Sequence, residues 1–161
     1  MPELDGWHAV YRRDPDGAIT SDESIRIRGP VVPRTDAGAR RLDRRYWLAV
    51  AGASRGLVRS RESGSGVELL VLRRLCVLRL AAPQTSAGAD GVLCRYAIEG
   101  GLLSRRPGGS LTLSDSGTEL RAVVTGFLPR LDWSVFRRLQ HRLHVGVSRR
   151  FFTALLAEAS T

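Results

Sequence analysis

The side chains able to do chemistry are few and scattered. His8, His141 and His144 are the only histidines, and Cys76 and Cys94 the only cysteines, in a chain of 161 residues. His141 and His144 are three residues apart, a spacing at which two helical side chains can meet one ion. A helical wheel turns His141 toward arginines, however, and no third ligand lies nearby in sequence, so no structural or catalytic metal is expected. The cysteines lack CxxC spacing and sit in apolar strand-like runs, which predicts buried free thiols with no disulfide between them. Gly100-Gly101 and Gly108-Gly109 fit neither GxGxxG nor the P-loop pattern and open no helix, so they read as bulges and turns. Ser54 is not in a GxSxG elbow. No catalytic residue and no cofactor is assigned on these residues.

Charge offers a second kind of function. The formal charge is +9, and all 25 basic residues are arginine. Arg137, Arg138, Arg142, Arg149 and Arg150 fall in one predicted helix and Arg40, Arg41, Arg44 and Arg45 in another, so nucleic acid, an anionic membrane surface or a protein partner is the alternative reading. Lysine and asparagine are absent. That bias points to GC-rich coding, which places arginine on any exposed helix face whatever its partners.

The elements that must position these residues follow from length and pattern. A chain of 161 residues suits one domain, 1–161, with one sizeable core. Arginine interrupts every apolar run, including Val67 to Ala82, before it reaches the length of a membrane span. The first residues carry neither a basic n-region nor an apolar stretch, so a cytoplasmic protein is expected.

Trp7 to Arg12 and Ser24 to Arg28 read as two short strands that could form a hairpin around Asp14-Pro15-Asp16-Gly17. Prolines 30 and 33 make a loop. Leu42, Tyr46, Ala49 and Ala53 share a helical face between Asp36 and Ser54, and Gly56 follows at a C-cap position. Leu57 to Arg61, Val67 to Leu72 and Leu75 to Leu80 read as strands, the first two joined at Gly64-Ser65-Gly66. Pro83 to Gly91 reads as a loop. Val92, Cys94, Tyr96 and Ile98 then alternate with more polar neighbours and face inward. Ser110 to Ser114 and Leu120 to Phe127 are two further strands. The last segment, N-capped by Asp132, is a helix to about Ala159 with Phe136, Leu139, Leu143, Val147 and Phe151 on one apolar stripe.

These elements predict an α+β domain: a curved antiparallel sheet of about six or seven strands packed on a long C-terminal helix, with one earlier helix. The order resembles that of the helix-grip, or START-like, superfamily across most of the chain, with no diagnostic motif. The resemblance implies a cavity between sheet and final helix that takes a small hydrophobic molecule, by binding rather than by catalysis. The inner surface would then be drawn from Cys76, Leu78, Cys94, Tyr96, Leu111, Leu113, Ala122 and Val124. Tyr96, Gln140 and His144 would supply the few polar groups, with Cys94 and Val124 among the apolar contacts.

Overall fold

The computed structural model describes residues 6–160. The side chains of Leu139, Gln140 and His141 lie outside that description, and with them the expected roles of Leu139 in the apolar stripe and Gln140 as a ligand contact.

The chain opens with a hairpin. β1 (His8–Arg13) pairs antiparallel with β2 (Ile19–Arg26), from His8 opposite Ser24 to Arg13 opposite Ile19. Asp14 to Gly17 make the turn: the Asp14 amide donates to Ala18 O at 2.7 Å, and the Ala18 amide to the Asp16 carboxylate at 3.0 Å. β2 thus begins five residues before the expected Ser24. Its run of Ser21, Asp22, Glu23 and Ser24 has low strand propensity, and it is held instead by ladders on both edges, to β1 and to the final strand.

A proline-containing connection follows, in which the buried Asp115 carboxylate accepts the amides of Val31 at 2.8 Å and Val32 at 3.0 Å. These donors would otherwise be buried without partners. Helix α1 (Asp36–Ala53) comes next. It ends where Arg55 and Gly56 take positive φ, with the Gly56 amide returning to Ala51 O at 2.7 Å.

The remaining strands are β3 (Val58–Ser63), β4 (Gly66–Val71), β5 (Leu75–Leu80), β6 (Gln84–Gly88), β7 (Gly91–Gly100), β8 (Ser110–Asp115) and β9 (Glu119–Phe127), and helix α2 (Trp133–Ala159) closes the chain. The sheet runs β1-β2-β9-β8-β7-β5-β4-β3, with β6 also on β7. All of its pairs are antiparallel.

Among the described residues nine strands stand where about six or seven were expected, partly because residues 83–91 are not simply a loop. β5 meets β7 only near Leu80 and Ile98, and β6 then continues along the same strand, from Gln84 opposite Arg95 to Gly88 opposite Gly91. The two are successive pieces of one bent path, broken before Pro83, which has no amide to give a ladder. The small polar residues of β6 are exposed and carry none of the apolar alternation that marks a half-buried strand.

Gly101 follows β7 as a tight crossing. Its φ is +116°, and a Cβ there would stand 2.5 Å from Val77 O and 2.6 Å from Leu78 Cα. Both the backbone conformation and the close approach require glycine.

One face of the sheet carries both helices. α1 lies over β3, β6 and β7, and α2 packs along α1 and reaches β2. Asp132 caps α2 as expected, accepting the Ser134 amide at 2.9 Å. Phe136, Val147 and Phe151 are buried and Leu143 is half-buried. Phe152 and Leu155 add a second buried row beside that stripe.

Candidate functional site

Sheet register sets the inner surface. One row across the sheet runs Tyr96, Leu111, Val124, Ser21, and the next runs Cys94, Leu113, Ala122, Glu23. Alternation along each strand puts both rows on the face that the helices cover. Between that face and α2 lies a pocket of about 300 Å³. Leu78 and Leu80 of β5, Ile98 of β7, Leu111 of β8 and Val124 and Phe127 of β9 form its sheet side. Val50 of α1 and Phe136, Leu143 and Val147 of α2 form its helix side. Among the described residues, Tyr46, Trp47 and His144 are the lining residues with polar side-chain atoms.

The expected site residues divide. Val124 and His144 line the pocket. Tyr96 and Cys94 are fully buried near it but belong to another cluster. The Tyr96 hydroxyl donates to Asp43 Oδ1 on α1, and Trp47 Nε1 donates to the same oxygen at 2.6 Å while standing 3.2 Å from the Tyr96 hydroxyl. This triad pins α1 to β7. Burial, and then the Asp43 hydrogen bond, raise the Tyr96 pKa well above its ordinary value. Burial, reinforced by the Asp43 charge, pushes the Cys94 thiol up to about 12. Cys76, also a free thiol, is half-buried on β5.

The polar group that sequence reasoning missed is Glu23. Only 2% exposed on β2, it faces the helices beside Ser21. Its Oε1 accepts the Ser21 hydroxyl at 2.8 Å, and its Oε2 accepts the Ser148 hydroxyl of α2 at 3.2 Å. His144 Nδ1 stands 3.2 Å from the same Oε2, in ion-pair range though not aligned as a hydrogen bond. Ser148 and His144 are one helical turn apart, so one face of α2 presents both to the carboxylate. The charge of Glu23 extends further, adding to burial in raising the Tyr46 pKa. The signal in the sequence was an acidic residue at an inward position of a strand, Ile19, Ser21, Glu23, Ile25, but it shows only once β2 is known to start at Ile19.

The arginines are partly committed to structure. Arg41 lies 2.6 Å from the Glu158 carboxylate, and Arg45 pairs with the other oxygen of that carboxylate, so two of the four α1 arginines clasp α2. Arg137, Arg138, Arg142, Arg149 and Arg150 are exposed. Four arginines, Arg45, Arg142, Arg149 and Arg150, border an outer groove between the helices, with Leu48, Val145 and Ala154 along it.

No group of three or more His, Cys, Asp or Glu side chains able to hold a metal occurs among the described residues. Nor, among them, is any helix long and apolar enough to cross a membrane. No protein-family model matches the chain, and no curated protein matches it.

Proposed function

We propose that this protein binds a small hydrophobic molecule between its sheet and its C-terminal helix, in the manner of the helix-grip folds whose element order it resembles. The observation that carries this reading is the apolar pocket of about 300 Å³ beneath α2. Close-packed interiors leave few voids larger than a water molecule, so unfilled apolar volume of this size favours an occupant over a packing residue. The lining supports binding rather than catalysis, since its apolar side chains offer contact area and few groups that move protons. Native mass spectrometry of protein purified from its own cells tests the reading. A retained apolar molecule, released by Leu78→Trp or Leu111→Trp substitutions that fill the pocket, is the expected result. A protein without bound ligand that also takes up no apolar probe would overturn it.

The arginine-bordered groove between α1 and α2 favours a second reading, contact with an anionic partner. Binding to nucleic acid or anionic vesicles that persists near physiological salt would support it. Equal competition by unrelated polyanions would leave these arginines as a solvated face.

A further inference from the structure

The pocket's polar end has a construction that narrows the ligand class. Glu23 is a buried carboxylate that neither lines the pocket nor reaches solvent, and both of its oxygens are occupied. A buried charge persists only where it is paired and hydrogen-bonded. Here Ser21 and Ser148 supply the hydrogen bonds and His144 stands in ion-pair range, and only His144 also lines the pocket. Although the contact is off the line of a hydrogen bond, a lone pair on Nδ1 would face the carboxylate oxygen 3.2 Å away, so the proton of a neutral ring is favoured on that nitrogen. Nε2, on the other side of the ring, is then left with a lone pair as a hydrogen-bond acceptor.

We propose that His144, backed by Glu23, is the recognition group of the pocket, and that the ligand is an uncharged apolar molecule bearing one hydroxyl, which donates to His144 Nε2. This rests on the ligand-binding reading above and adds the class of ligand to it. Charge argues against a fatty or aromatic acid. No arginine is among the described residues lining the pocket, so a ligand carboxylate would share the single imidazole with Glu23 in apolar surroundings. A plain hydrocarbon would fill the volume but leave the acceptor buried without a donor, at a cost the hydroxyl removes.

Three probes of one shape separate these cases: naphthalene, 2-naphthol and 2-naphthoate, titrated calorimetrically into the full chain. The expected ranking is 2-naphthol first, about tenfold tighter than naphthalene, as one well-placed hydrogen bond provides, with 2-naphthoate weakest. His144→Leu should erase the advantage of the naphthol over naphthalene, and His144→Gln, which keeps an acceptor, should restore part of it. Glu23→Gln, which removes the charge that orients the ring, should reduce it. Equal binding of naphthol and naphthalene, tightest binding of the naphthoate, or a naphthol advantage that survives His144→Leu would overturn the hydroxyl assignment and leave the pocket reading standing. Binding of none of the three would overturn both. The wild-type ranking decides the matter even if a variant fails to fold.

Discussion

His144 and Glu23 meet 121 residues apart in sequence, Nδ1 to Oε2 at 3.2 Å, with both side chains at most 8% exposed. That contact joins the hairpin at the start of the chain to the helix at its end. It also changes what His144 is expected to do. From sequence it reads as a ligand contact, whereas beside a buried carboxylate it is also a structural partner.

Glu23→Ala should therefore cost about 3–5 kcal/mol, because it strands His144 and two serine hydroxyls in the interior. Replacing the pair by Glu23→Leu with His144→Leu should recover part of that loss, since an apolar pair removes the buried charge and the stranded imidazole and leaves only the Ser21 and Ser148 hydroxyls without their partner. Urea denaturation of the single and double variants checks this. A double variant no more stable than Glu23→Ala would mean that the pair does more for the fold than satisfy itself.

Phe136 and Phe151 lie at opposite ends of the buried stripe of α2, and each is at most 1% exposed. Phe→Ala at either should cost about 3–5 kcal/mol. Val135→Ala, on the exposed side of the same helix turn as Phe136, should stay within about 0.5 kcal/mol of wild type. Thermal or chemical melts of the three variants measure the contrast, and similar losses at all three positions would contradict this packing.

Sequence showed the parts of this fold where one periodicity is uninterrupted. α1, α2 and the alternation of Val92, Cys94, Tyr96 and Ile98 were legible because apolar residues recur at the helix or strand period with polar ones between. β2 and β6 were not. β2 hides its pattern by burying Ser21 and Glu23 where apolar side chains would mark the inner face, and β6 is an exposed polar strand held by its partner rather than by propensity. The site suffered for the first of these. His144 and Val124 could be picked from their faces on α2 and β9, but Glu23 becomes visible only through register. Nor could sequence tell that Tyr96, inward-facing like Val124, spends its hydroxyl on Asp43, because that pairing depends on where α1 lands over β7.

The raised Cys94 pKa predicts an alkaline limit. The native thiol stays protonated up to about 12, while in the unfolded chain it ionises near its ordinary value of about 8.5. Above that value the unfolded state has lost a proton that the native state keeps, so stability falls as pH rises. Relative to Cys94→Ala, wild type should lose about 1.4 kcal/mol per pH unit between roughly pH 9 and 12. Denaturant titrations of both proteins at several pH values read the difference directly, with other titrating groups cancelling. A constant difference would mean that Cys94 is reached by water in the native state.

The clasp between Glu158 and the pair Arg41 and Arg45 separates structural arginines from the others. Both arginines are about a third exposed, so their attraction to Glu158 is screened and each contact is modest. Glu158→Gln should cost about 1 kcal/mol at low ionic strength and less in half-molar salt, because only the charge is removed. Arg44→Gln, an exposed position on the same helix, should change stability by no more than about 0.5 kcal/mol. The same variants bear on the charged groove. Glu158→Gln frees Arg41 and Arg45 from their carboxylate, so any binding to anionic vesicles that depends on helix charge should strengthen, whereas Arg149→Gln with Arg150→Gln should weaken it. Vesicle sedimentation at two salt concentrations measures both effects. Affinity that responds to neither change would remove the helix pair as an anion-binding face.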